Sequence, residues 1–540
     1  MKHLWPWLLA ALSGAMVALC FPPFDQSGLV WFALTPLIAA VWFSPRGGRW
    51  FALRLLGLGY LAGLVLAWMS LFWLTEVTPA GWFVFAFYLA IYSALWTLFV
   101  GIVCRPRDPV PGRPLAECQW LHSFRNLRLA ARGAAAWAGL EWLRGTLMSG
   151  FGWNSLGVSL WKNTPCLQIA DFSGVAGISF LIVLVNLILV ITVRRVMLEA
   201  GRVKMRPHFD FTVTMALLSA SIGYGVYRIN QKDGAYLLSV AAIQANIPQD
   251  HKWDPAFDRH ILDTYLRLTG NALAFKPDLL IWPEASTPRP ALTNEDITND
   301  VLGIIGKTHS NFLFGTVRYA PPYAFNSAIL LTDARRKDQT YEPKMQIYDK
   351  MHLVPFGEFV PFRHTFPLFA WIVGDQVPDD FDAGTDPVVM TLSRKPYRIG
   401  TLICFEDTIG DLARRFAKRG AELLITITND GWFRQSAASR QHLANAVLRC
   451  AETKLPLVRV ANTGVTCFID RFGNVDRKLE VNGSTFVEGV LYGTVAIRLE
   501  PPKTFYTQYG DLFGMLCLFG ALLSIRTHLV TVRRPGLSEN

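Results

Sequence analysis

RIGTLICFED, residues 398–407, decides how the polar part of this chain is read. The strand-like run RIGTLI ends at Cys404, and a helical pattern begins near Thr408. Such a junction exposes a side chain at the edge of a sheet and aims a helix N-terminus at it, where a thiolate is favoured. A free thiol titrates near ~8.5, so a neighbouring cation or base must assist it at neutral pH. Two other segments share the design. DLLIWPEAS (278–286) ends a strand-like run with Glu284, a carboxylate placed to take a thiol proton if burial raises it toward the working pH. YDKMHLVPFGEFVP (348–361) sets Lys350 among apolar residues and two prolines, an ammonium suited to an oxyanion. Asp349, Glu358 and Glu406 are candidates to position it, or salt-bridged scaffold.

Each residue alone has a plainer reading: a buried structural cysteine, a solvated loop glutamate, a surface lysine. Cys450 and Cys467 keep that plainer reading. The joint occurrence of Glu, Lys and Cys, each in a distinctive motif, points to nucleophilic acyl chemistry instead.

Around these motifs, from about 236 to 498, apolar strand patterns alternate with amphipathic helices. LLSVAAIQANI, NFLFGTVRY, FNSAILLT, ELLITITND, PLVRVANTG and GVLYGTVAI read as further strands. PAFDRHILDTYLRLTGNALA, DITNDVLGIIGKTH, GDLARRFAKRGA and QHLANAVLRCAETK carry helical spacing. Strands this apolar are buried on both faces, so a layered α/β sandwich is expected.

The rest of the chain has another character. Of 540 residues, 51% are hydrophobic and 17% charged, which places it among polytopic membrane proteins. Apolar runs of the roughly 20 residues that cross a bilayer are expected near 4–20, 28–43, 52–74, 80–104, 133–149, 175–193, 211–228 and 509–526. The organisation expected is therefore seven transmembrane helices in 1–230, a polar domain at 236–498, an eighth helix at 509–526 and a tail at 527–540. The first run, preceded by Lys2 and His3, lacks a small-residue cleavage site and reads as an uncleaved helix.

Orientation follows from arginine. Arg46 and Arg49, then Arg105, Arg107, Arg113, Arg125, Arg128 and Arg132, then Arg194, Arg195, Arg202, Lys204 and Arg206 fall in alternate loops, and Arg526, Arg533 and Arg534 in the tail. The opposite short loops hold Lys162. This bias puts both termini in the cytoplasm and the polar domain outside it. It accounts for the net charge of +11 without a nucleic-acid partner. Eight cysteines show no CxxC pair and no zinc spacing, so neither a metal site nor a disulfide framework is expected. Glu141 and Arg144 are costly in hydrocarbon and are expected to pair with each other or face the bundle interior, in a structural role.

Glu284, Lys350 and Cys404, in this order and in these motifs, resemble the nitrilase superfamily. FPPFD (21–25), EWLRG (141–145), ADFSGVAGISFLI (170–182), IQANIPQDHKW (243–253), VPFGEFVP (354–361) and ITNDGWF (427–433) extend the resemblance over nearly the whole chain, to the membrane-anchored branch, the apolipoprotein N-acyltransferases. The resemblance implies an extracytoplasmic αββα sandwich, eight transmembrane helices, and a bacterial inner-membrane enzyme whose catalytic domain is periplasmic. It implies Glu284 as general base, Lys350 as oxyanion-stabilising cation and Cys404 as acylated nucleophile. Glu358 matches a second family glutamate, Glu406 and Phe405 follow the nucleophile, and Trp253 and Asn326 lie in matching motifs that shape a substrate pocket. A tyrosine stands in some members where this chain has Phe405, and a glycine usually stands at Arg434.

The reaction so implied moves an acyl chain from a phospholipid, phosphatidylethanolamine, to the α-amine of a diacylglyceryl-cysteine lipoprotein by way of a thioester, with no cofactor or metal, in a monomer. Drawing a long acyl chain into water costs on the order of 10 kcal/mol, so the site is expected to open at the bilayer surface. HTFPLFAWIVG (364–374), with Phe366, Leu368, Phe369, Trp371 and Ile372, reads as an interfacial arm or as a core helix. Two competing readings are a membrane-tethered amidase in which water resolves the thioester, and a transporter or scaffold with an inert polar domain. The intact Glu, Lys and Cys set speaks against the last.

Overall fold

A computed structural model of the protein describes residues 4–106, 119–199, 208–231, 234–308, 310–335, 341–361, 363, 380–393 and 395–533. The chain divides into two compact units, Met1–Asn230 with Asp511–Asn540, and Gln231–Gly510.

The first unit is helical. Phe51–Ser70, Pro79–Ile102, Ala170–Leu198, Phe209–Ile229 and Leu512–Val530 are long and apolar enough to cross a membrane. Trp5–Leu19 is shorter, about 22 Å at 1.5 Å per residue. The run expected as one span near 28–43 is broken into a 3-10 turn, Ser27–Trp31, and a helix, Thr35–Trp42. Pro36 lies in the first turn of that helix, where its missing N–H costs nothing, so a new helix starts there rather than continuing the old one. The break frees backbone groups that lipid cannot satisfy. Asn186, fully buried in the long apolar helix Ala170–Glu199, closes the gap: it accepts from Leu34 N at 2.9 Å and donates to Val30 O at 2.9 Å.

The run near 133–149 belongs to Gln119–Thr146, a helix whose arginines keep its hydropathy below that of the five. Glu141 and Arg144 both bind the segment that follows it. Glu141 accepts the buried Leu156 N–H at 2.7 Å, and Arg144 donates to Trp153 O at 3.1 Å and Ser155 Oγ at 3.4 Å. They line a cleft with Tyr92, Trp96 and Trp137. The pair thus satisfies polar groups of the segment that follows the helix.

Among the described residues the second unit contains twelve strands: β1 (Tyr236–Gln244), β2 (Leu279–Ile281), β3 (Asn311–Ala320), β4 (Tyr323–Arg335), β5 (Tyr341–Asp349), β6 (Val389–Thr391), β7 (Arg398–Ile403), β8 (Leu423–Thr428), β9 (Leu457–Ala461), β10 (Cys467–Ile469), β11 (Val475–Lys478) and β12 (Gly489–Ile497). They form two six-stranded sheets, ordered β12-β1-β2-β3-β4-β5 and β11-β10-β9-β8-β7-β6. β1, β2 and β3 run parallel, as do β7, β8 and β9.

The two-residue alternation of each strand sets the core. Ala241, Ile243, Leu280, Trp282, Phe312, Phe314, Ile329 and Leu331 project to one side, against Ile261, Tyr265 and Leu268 of helix Asp258–Leu273 and Ile297, Val301 and Ile304 of helix Glu295–Thr308. The intervening Val240, Ala242, Leu279, Ile281, Leu313, Ala328 and Leu330 are equally buried, so these strands are covered on both faces. On the second sheet Gly400 lets Phe416 of helix Gly410–Lys418 press against β7, since a Cβ there would lie 2.8 Å from that side chain. The arm expected at 364–374 lies outside the described residues.

Glu141→Ala should strand the buried Leu156 N–H and cost about 1–3 kcal/mol. A melting midpoint in detergent several degrees below wild type is the expected result; an unchanged midpoint refutes the anchoring role.

Candidate active site

The chemistry-bearing residues follow the carboxyl ends of strands, where open α/β sheets leave room for ligands. Glu284 lies three residues beyond β2, in a turn held against β3. Gly315 N donates to Pro283 O at 3.1 Å, and Ser286 N donates to Gly315 O at 2.8 Å. Ala285 takes φ +42 in that turn. A Cβ on Gly315 would sit 2.7 Å from Glu284 Cα, Ala285 N and Pro283 O, all backbone, so only glycine permits this approach.

Lys350 follows β5 directly, and its N–H donates to Asn326 O of β4 at 2.8 Å. Its ammonium is 1% exposed and lies 2.8 Å from Glu358 and 3.7 Å from Glu284 Oε1. Asn326 joins the two carboxylates, donating to Glu284 Oε1 at 2.8 Å and Glu358 Oε1 at 2.9 Å. Glu358 Oε2 is held by Val354 N at 2.8 Å. Burial alone would lower the Lys350 ammonium, but Glu358, Glu284 and the Cys404 centre outweigh it and hold the group well above its ordinary value. Glu284 Oε2 is buried and has no hydrogen-bond partner among the described residues, so one oxygen remains open.

Cys404 follows β7 at φ +55, the left-handed region, and opens the 3-10 turn Cys404–Thr408. The helix proper starts only at Gly410. The expectation of a favoured thiolate is corrected here: burial, reinforced by the Glu284 carboxylate and opposed by Lys350, pushes the Cys404 thiol well above its ordinary value.

Glu406 does not touch the Lys350 ammonium by hydrogen bond; it fastens the segments that carry Lys350 and Cys404. It accepts from Tyr348 OH at 2.9 Å, Met351 N at 2.7 Å, His352 N at 3.1 Å and Ile403 N at 2.8 Å. Burial pushes its carboxyl up to about 7, against these donors and Lys350. Asp349 is taken by Arg318, at 3.1 and 2.7 Å, and by Ser327 at 2.6 Å. Phe405 is partly buried beside Cys404. Trp253 is half exposed, its ring 6.0 Å from the Lys252 ammonium. Arg434 takes φ +47 and ψ −153, a backbone conformation that glycine enters freely and arginine does not. Cys450 and Cys467 are buried, with thiols pushed up by that burial.

Two features escape the sequence reading. His442, on the buried helix Ala438–Thr453, donates to the Cys404 carbonyl at 3.1 Å and sits 2.7 Å from Asp407 and 3.1 Å from Asp430, with Arg459 3.0 Å from Asp430. Asp430 follows β8 closely, as Cys404 follows β7, and that repetition could have marked it. Lys252, beside Trp253, is buried and donates to Glu284 O at 2.9 Å.

Residues 13–188 match the model of the apolipoprotein N-acyltransferase N-terminal domain, and residues 239–499 that of carbon-nitrogen hydrolases. A protein of Geobacter metallireducens named apolipoprotein N-acyltransferase is 34% identical over 95% of this chain and 94% of its own. The chain belongs to the apolipoprotein N-acyltransferase family. Relatives from Treponema denticola, 27% identical over 96% of this chain and 95% of theirs, and Shewanella oneidensis, 29% over 82% and 78%, carry the same family name. The apolipoprotein N-acyltransferase domain model and the hydrolase model thus fall on the helical unit and the two-sheet unit respectively.

Gly315→Ala should displace the Glu284 backbone and reduce acyl transfer by about 100-fold, since small misplacements of a reacting group cost this much. Activity near wild type would show that the close approach does not matter. A second expectation concerns pH. Burial would lower His442, but Asp407 and Asp430 hold it up at about 9. A raised folded-state value contributes stability that is present below the ordinary 6.5 and lost as pH rises through 9. The stability difference between wild type and His442→Gln should shrink between pH 7 and 9, by on the order of 3 kcal/mol in all; chemical denaturation at each pH reads it.

Proposed function

We propose that this protein transfers a fatty acyl chain from a membrane phospholipid to the α-amine of the N-terminal diacylglyceryl-cysteine of an apolipoprotein, through a thioester at Cys404. The observation that carries the reading is the buried cluster in which Lys350 lies between Glu284 and Glu358, its charge acting on the Cys404 thiol, in a chain of this family. Cys404 Sγ attacks the ester carbonyl while Glu284 takes the thiol proton, and Lys350 stabilises the oxyanion. The ester C–O bond then breaks, and the proton passes to the departing lysophospholipid oxygen. The acceptor amine attacks the thioester and gives a proton to Glu284, the C–S bond breaks, and Glu284 returns that proton to sulfur to regenerate the thiol. Asn326 and Glu358 hold Glu284 and Lys350 in register, Glu406 fixes both loops, and Phe405 and Trp253 border the substrates.

On the same reading the donor is phosphatidylethanolamine and the enzyme is a monomer of the bacterial inner membrane with eight spans, residues 1–230 supplying seven and 509–526 the eighth. The catalytic domain at 236–498 is periplasmic and both termini, including the tail at 527–540, are cytoplasmic. What supports that orientation is the concentration of arginine in alternate loops.

Purified protein given phospholipid labelled in its acyl chain should carry label on Cys404, and a diacylated lipopeptide added next should take it on its amine. Cys404→Ala should lose both by at least about 10³-fold. Label released only as free fatty acid would make the enzyme a hydrolase.

A further inference from the structure

Lys252 enters the site from the loop after β1, and the reaction written above leaves it without a task. It is 4% exposed and makes one hydrogen bond, to the Glu284 carbonyl at 2.9 Å, leaving two of its three donors without a partner among the described residues. An ammonium so poorly paired is expensive to bury. Nearby it borders a narrow cleft with Ala285, Ser286 and Asn462. Gly315 grips the Glu284 turn from β3, and Lys252 grips the carbonyl of that same turn from the loop after β1.

We propose that Lys252 is a positioning residue of acyl transfer, which fixes the Glu284 turn through its carbonyl and adds a second positive charge beside the Cys404 centre. This rests on the thioester reading above. Burial pulls the Lys252 ammonium down to about 8, with Glu284 and Cys404 holding it up, so it stays largely charged at neutral pH. The two lysines then divide their work. Lys350 is neutralised by two carboxylates, whereas Lys252 has no side-chain carboxylate within 4 Å among the described residues and is held by a backbone carbonyl. As the thiol proton moves to Glu284 and negative charge passes to the carbonyl oxygen of the donor, the Lys252 charge stabilises that build-up.

The test is the rate of Cys404 acylation in a single turnover, on the full-length protein in detergent with labelled phospholipid. Lys252→Met should slow acylation by about 100-fold at an unchanged donor KM and without a lower melting midpoint, because it removes an underpaired charge rather than a packing element. Lys252→Arg should recover most of that loss. If Lys252→Met does not fold, Lys252→Gln is read in its place. Acylation within about threefold of wild type in the uncharged variant, or a loss that Lys252→Arg does not relieve, overturns the proposal. Should wild type itself fail to take label, the thioester reading fails first; wild type labelled and Lys252→Met equally fast would sink only the role of Lys252.

Discussion

Taking a lysine ammonium out of water is costly, and the burial of Lys350 at 1% exposure governs the rest of the site. It requires carboxylates within reach, which are Glu358 at 2.8 Å and Glu284 at 3.7 Å. Two carboxylates so close repel each other, and Asn326 separates their work by giving each of them an N–H from one amide. Asn326 can do so because it lies on β4, whose neighbour β5 ends at Asp349, so its own carbonyl receives the Lys350 N–H. Strand pairing thereby sets the spacing of the charges.

Backbone is held with equal care. Glu406 gathers three N–H groups and a phenol from two segments, and a carboxyl pushed up to about 7 records what burying that charge costs. Beneath it, His442 holds the Cys404 carbonyl while Asp407, Asp430 and Arg459 balance its charge. Such networks are costly when half-made and rigid when complete. They keep Cys404 at φ +55, a conformation that the isolated chain would leave.

Much of this was legible in one dimension because strands declare themselves by alternation and their ends by polar residues. Glu284, Lys350 and Cys404 each stand where an apolar run stops, and the motifs around them carried the family. What stayed hidden depends on partners distant in sequence. Lys252 and Glu284 are separated by a whole helix, and His442 reads as one polar residue on an amphipathic pattern until the entire helix proves buried. The break in the second apolar run was announced by Thr35 and Pro36, yet its repair by Asn186 lies over 150 residues away. The direction of the Cys404 thiol was misjudged because a local rule, the helix N-terminus, gives way to burial when the helix starts six residues later.

That reversal bears on how the site stores an acyl chain. A buried thiolate would need a permanent counter-charge, and acylation would remove the charge and leave the counter-charge unpaired. On the proposed thioester reading, a thiol that burial keeps toward its protonated form would become a neutral thioester, so free and acylated states would make the same electrostatic demand on their surroundings. On the proposed mechanism negative charge leaves Glu284 for the tetrahedral oxygen only in passing, as the proton is exchanged. The donors arranged around those positions are complementary to the transition state more than to either stable state, which is where binding energy becomes rate.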